Sequence, residues 1–158
     1  MSKWEDVEDE VPELAVPVRE RFEKFTLGVL ATLRRDGSPR VTGIEPGFSY
    51  GELWLGMMEH SRKGDDLRRD GRLALHSAGT DKEASDPDAK LAGVAVEVLG
   101  EAKDRYCDDV ERERDWRPKD FLLFKVDVRE LVRTYPEGDK LVIESWHQGI
   151  GARRVARD

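Results

Sequence analysis

Residues 52–77 read ELWLGMMEHSRKGDDLRRDGRLALHS. Glu52 to Met58 reads as a strand, following a turn near Tyr50-Gly51. Ser61 then stands as an N-cap before a short polar helix, Ser61 to Asp70, with acids early where the helix dipole favours them. Gly71 stops that helix, and Arg72 to Ser77 alternates large and small side chains as a further strand. A strand thus delivers the chain to a helix N-terminus that carries a hydroxyl, a guanidinium and an ammonium in Ser61, Arg62 and Lys63. Free backbone N–H groups, the dipole and two cations together make a phosphate site. Arginine grips phosphate oxygens through two donors and lysine adds a mobile point charge. A capped surface helix whose cations face water has the same spacing, so the residues alone leave both readings open.

Working outward, Leu27 to Leu33 is apolar and β-branched, and Arg34-Arg35-Asp36-Gly37-Ser38-Pro39 turns the chain into a return strand, Arg40 to Ile44. Asp-Gly between two extended runs is a strong hairpin signal, because glycine accepts the positive φ such a turn needs. Glu45-Pro46-Gly47 breaks this strand, and with a turn near Tyr50-Gly51 the first three strands are expected to form a meander. Upstream, Val11 to Phe25 places Leu14, Val18, Phe22 and Phe25 at helical spacing, with Pro12 early and Pro17 expected to kink or restart the helix. Downstream, Gly79 to Lys90 reads as a surface loop and Leu91 to Ala102 as a strand with Val94, Val96 and Val98 on one face. Asp104 to Lys119 reads as a solvated helix and loop. Phe121 to Tyr135 is a long strand, and Leu141 to Trp146 pairs back after a turn at Pro136 to Lys140. About seven strands joined mostly by hairpins predict a mainly β fold, an antiparallel barrel. A single domain over 1–158 is expected, divided into a helical segment 1–26, a barrel 27–146 and a basic tail 147–158.

The chain has 158 residues, a formal net charge of −7, 39% charged residues and 38% hydrophobic ones. That balance suits a water-soluble globule and argues against non-specific attraction to nucleic acid or acidic membranes. No apolar run approaches the roughly 18 residues of a membrane span, and the acidic Met1 to Glu10 lacks a signal-peptide layout, so a cytoplasmic location is expected. Cys107 has no catalytic pattern around it. His60, His76 and His147 lack metal-type spacing, and no nucleophile elbow, phosphate loop or dinucleotide fingerprint is present.

The order of strand, Arg-Asp-Gly turn, strand, strand, Ser-Arg-Lys helix, Asp-Gly-Arg and strand resembles the FMN-binding split β-barrel family. Its members include pyridoxamine 5′-phosphate oxidases and deazaflavin-dependent reductases. The resemblance is good over Leu27 to Ser77 and looser to Trp146, and Ser61-Arg62-Lys63 with Leu67 and Arg72 is its most specific element. It implies that Arg62 and Lys63 hold a cofactor phosphate with Ser61 in support. It also implies that Arg40, Thr42 and Gly43 run beneath a flavin ring, that the Met57–Met58 strand end faces it, and that Trp146 stands near the partner subunit's cofactor. Family dimers carry their cofactors between subunits, so a homodimer is implied. FMN is the implied cofactor, with the deazaflavin coenzyme F-420 as the alternative; arginine outnumbers lysine 18 to 9, as in GC-rich genomes where the deazaflavin is common. The implied activity is a redox reaction on a small organic substrate, or non-catalytic flavin or haem binding on the same barrel. Two departures stand out. Thr42 occupies a position where oxidases proper commonly carry arginine, and the tail does not match the Arg-rich C-terminal segment of true pyridoxamine phosphate oxidases.

Overall fold

The computed structural model describes residues 1–79 and 87–158. Two helices, α1 (Trp4–Glu10) and α2 (Pro12–Phe25), precede β1 (Gly28–Leu33), β2 (Pro39–Ile44), β3 (Pro46–Ser49) and β4 (Glu52–Met58). Helix α3 (Arg62–Arg69) leads to β5 (Arg72–Ser77) and β6 (Asp88–Glu97). Helix α4 (Gly100–Arg114) is followed by β7 (Phe121–Glu137), β8 (Lys140–His147) and β9 (Gly151–Arg157). Every strand pairing is antiparallel, in the order β2-β1-β5-β6-β7-β4-β3, with β8 added to β7 and β9 to β8. The expected mainly β, antiparallel split barrel is what the chain forms.

The expected meander is not. β1 and β2 form one hairpin around Gly37, at φ +83°, and β3 and β4 form another. β2 and β3 are separated only by Glu45, yet they lie at opposite ends of the strand order. Pro46 is the reason that sequence offers: it has no N–H to extend the β2 ladder and is tolerated only as the first residue of the next strand. The seventeen-residue β7 bridges the two parts of the sheet. Its first half pairs with β4 on one side, its second half with β8 on the same side, and β6 lies along the other.

Leu30, Leu53, Leu55, Leu75, Leu91, Phe124, Val128 and Leu131 fill the interior, and α1 and α2 close it with Trp4, Val7, Leu14, Val18 and Phe22. Trp4 meets Phe48 edge to face with ring centroids 4.6 Å apart, a preferred geometry for aromatic pairs. The first helix was not expected because Trp4–Glu10 is charge-rich and buries only Trp4 and Val7. α2 continues through Pro17 without a restart; the ring removes one backbone donor, and the buried apolar stripe holds the remaining turns. In β6, Ala89, Leu91 and Ala95 point inward and Val96 is exposed, while Val98 is buried just past the strand's end. Its strand starts at Asp88 and ends at Glu97, so residues 88–90 belong to it and 100–102 to α4. Residues 80–86 of the expected loop lie outside the described residues. The expected basic tail contains β9, paired with β8 from Leu141↔Arg157 to His147↔Gly151. Among the described residues no helix is long and apolar enough to cross a membrane.

Candidate functional site: a cationic groove at the start of α3

Helix α3 begins where the sequence places it. The Ser61 hydroxyl accepts a hydrogen bond from the Gly64 N–H at 3.3 Å, fixing the first turn. Gly64, Asp66 and Leu67 form the buried side of the helix. At Gly64 the approach to β7 is close: a Cβ there would lie 2.5 Å from Leu122 Cδ1 and 3.0 Å from Ser61 Oγ. Glycine therefore lets the start of α3 seat directly on the sheet.

A groove of about 450 Å³ opens at this helix start, lined by Arg40 and Thr42 of β2, Met57 and Met58 of β4, and Ser61, Arg62 and Lys63. Of the residues singled out from sequence, only Gly43 and Trp146 are absent from its wall. Gly43 takes part indirectly, since the Lys63 ammonium donates to its carbonyl at 2.6 Å. That bond lays the lysine across from α3 to β2. Burial pulls the Lys63 pKa below its ordinary value, because the charged form loses hydration there; a phosphate beside it would act in the opposite direction. Arg62 is exposed and has no hydrogen-bond or ion-pair partner among the described residues.

Arg40 and Thr42 share one side of β2, as strand alternation requires, with Val41 and Gly43 on the other. Arg40 is held by Asp66, whose Oδ2 accepts from Arg40 Nε at 2.6 Å and from the Thr32 hydroxyl at 2.8 Å. Arg69 donates to the other carboxylate oxygen at 3.1 Å. Thr32 and Arg40 are directly opposed in the β1–β2 register, so hairpin and helix converge on one buried carboxylate. Burial raises the Asp66 pKa, but the bonds from Arg40, Thr32 and Arg69 outweigh it and hold the group below the usual carboxylate range. Asp66 and Thr32 were missed in the sequence. The available signal was a charged residue on the buried side of α3, next to Leu67, and a threonine two residues after Leu30 on the inward side of β1.

The Thr42 hydroxyl oxygen is covered and makes no hydrogen bond within the protein. Buried polar atoms are normally partnered, so an unsatisfied hydroxyl in this wall is consistent with a ligand supplying the partner. Met57 is 7% exposed and belongs to the core, while Met58 is 78% exposed at the groove's lip. Together the donor set fits a flavin phosphate: backbone N–H groups at a helix start, a guanidinium and an ammonium. The two methionines supply apolar surface for a ring.

Trp146 is not brought to this groove. Its indole is 1% exposed in the core and Nε1 donates to Glu10 at 2.8 Å. His147 faces Glu130, and no metal-ligating group of three occurs among the described residues. Cys107 is buried, and burial raises its pKa, which suits an inert thiol.

No curated protein matches the sequence significantly. Solved structures share the fold at low identity. PhzG from Burkholderia lata 383, crystallised in complex with tetrahydrophenazine-1-carboxylic acid, matches with a TM-score of 0.69 at 14% identity, covering 96% of each chain. A pyridoxamine 5′-phosphate oxidase-related, FMN binding protein from Nostoc punctiforme PCC 73102 matches at 0.67 and 11% identity, covering 96% of this chain and 97% of that one. A heme binding protein from Mycobacterium smegmatis matches at 0.59 and 22% identity; 83% of this chain aligns, with 57% of that one. The family model for pyridoxamine 5′-phosphate oxidase matches residues 17–133, from the middle of α2 into the second half of β7. Spanning the cationic groove and most of the sheet, that match shows that the chain belongs to the pyridoxamine 5′-phosphate oxidase family.

Proposed function

We propose that the chain is a flavin-binding oxidoreductase, with FMN as the simplest cofactor, acting on a small organic substrate as a cytoplasmic homodimer. The observation that carries this reading is the cationic start of α3, with Lys63 fastened to Gly43 and Arg62 left without a partner among the described residues. Arg62, Lys63 and the first N–H groups of α3 hold the phosphate; Ser61 keeps that turn in shape. Asp66 fixes Arg40 in the wall, and Thr42 offers its hydroxyl to a polar ring atom. The flavin supplies hydride and electron chemistry when bound, so the protein's task is to bind, orient and exclude water. The departures at Thr42 and in the tail separate this reading from a true pyridoxamine phosphate oxidase.

The groove is open on one side, and the neighbouring outer sheet face is apolar. Val29 and Val41 are exposed there, Val41 at 66%, as is Val96 on β6. Exposed apolar patches of this kind mark association surfaces, and a second copy of the chain is the occupant that a family dimer supplies.

Mass spectrometry of the ligand released from native protein tests the reading, with the absorption spectrum recorded before and after reduction. FMN, a yellow protein that bleaches with a candidate substrate and a dimeric hydrodynamic mass are the expected results. The deazaflavin coenzyme F-420 in its place would change the cofactor and keep the groove. A bound flavin without turnover would leave a storage or sensing protein, and a haem Soret band would replace the flavin reading altogether.

A further inference from the structure

A second cleft, of about 850 Å³, adjoins the groove and shares Arg40 and Arg62 with it. The β1–β2 turn contributes Arg34 and Arg35 to its wall, and α3 contributes Arg68 and Arg69. Six guanidinium groups thus meet in one depression of a chain whose net charge is −7. Their partners are unevenly supplied. Arg68 is satisfied by Glu97 through both carboxylate oxygens. Arg40 and Arg69 divide the single charge of Asp66, and Arg34 hydrogen-bonds the Pro39 carbonyl and interacts electrostatically with Asp36. Arg35 and Arg62 have no partner among the described residues. The two further acids in the wall are Asp36, whose carboxylate already accepts from the Ser38 N–H and hydroxyl, and exposed Asp65. Like charges held this close on a concave surface repel one another and concentrate anions.

Resting on the flavin reading above, we infer that this cleft receives an anionic group that the cofactor carries beyond its first phosphate. Arg62 stands between the two compartments, so a ligand clamped at Lys63 enters the arginine cleft by continuing past it. The shared chemistry is an anion on a flexible extension. Its two sources are the second phosphate of a flavin dinucleotide and the carboxylates of a deazaflavin tail.

The test is a titration of the full chain, stripped of native ligand, with FMN, FAD and coenzyme F-420, followed by cofactor fluorescence. Either extended cofactor is expected to bind at least about tenfold tighter than FMN, equivalent to about 1.4 kcal/mol. FAD or F-420 as the tighter ligand identifies the anion as phosphate or carboxylate. The advantage should shrink in about 0.5 M salt, where exposed charges are screened, and Arg35→Ala should remove most of it while leaving FMN affinity unchanged. Equal affinity for all three ligands overturns the inference, as does an Arg35→Ala loss that is the same for each. FMN binding that is weakened by Lys63→Ala, with no advantage for an extension, sinks this inference alone. Failure of all three to bind sinks the flavin reading with it.

Discussion

Two regions of this molecule look alike as sequence and differ as structure. The start of α3 with its neighbouring hairpin, and the β8–β9 hairpin at the other end of the chain, are both rich in arginine. In the second region the cations are partly matched: Arg154 bonds Glu137 at 2.6 Å, Arg133 on the adjoining β7 faces Glu144, and the Tyr135 hydroxyl also donates to Glu144, while the Arg153 and Arg157 side chains have no hydrogen-bond or ion-pair partner among the described residues. Its aromatic, Trp146, is spent on the core and on Glu10. In the first region Arg62 and Arg35 are unmatched and Lys63 has only a carbonyl. Neither the density of basic residues nor a missing carboxylate therefore marks a site alone; convergence does, since six guanidinium groups of the first region line one cleft.

The largest effect expected lies in the β8–β9 region. Trp146→Ala should cost about 3–5 kcal/mol of stability, the usual penalty for emptying a buried aromatic site, measured by chemical denaturation. Trp146→Phe, which keeps most of the volume, should leave cofactor affinity unchanged; a selective affinity loss in that variant would move the tryptophan back to the cofactor and break the contrast. In the groove, Asp66→Ala should cost about 3 kcal/mol, because it strands Arg40 and Arg69 without their buried counter-charge. The depressed pKa of Asp66 gives the accompanying pH dependence. Its contribution is fully present above the unfolded value of about 4 and is lost as pH falls through the lower folded value. Asp66→Asn should flatten that part of the acid denaturation profile. Lys63→Ala should leave the fold intact and weaken flavin binding by about ten- to a hundredfold, the worth of one charged hydrogen bond, read by calorimetric titration. Arg154→Ala should change neither the denaturation midpoint nor cofactor affinity measurably, since exposed ion pairs contribute little. An affinity loss there equal to that of Lys63→Ala would erase the distinction between the two regions.

What could be read from the sequence follows the same division between local and non-local causes. The Asp-Gly turn, the Ser61 cap and the alternation of β5 and β7 are local signals, and all lead to the elements they indicate. Helix α1 was hidden because two inward residues, Trp4 and Val7, are all it needs when the end of a barrel waits to be covered. β9 was hidden because nearly all its side chains are exposed; its ladder to β8, not an apolar face, holds it. The inner face of β6 was not legible because alternation identifies two faces without naming the inner one; alanine and leucine take the inside. At the site, Ser61, Arg62 and Lys63 were legible as one contiguous motif. Asp66 was not, since its meaning depends on Thr32 and Arg40 arriving from another hairpin.

The missing side chain at position 64 has a corollary for comparing relatives. Leu122 Cδ1 occupies the space that a methyl group on Gly64 would claim. A homologue with alanine or serine at 64 must therefore turn aside or shorten its residue at 122, or lift the amino end of its helix off the sheet. Paired substitution at the two positions would mark lineages that keep the seat.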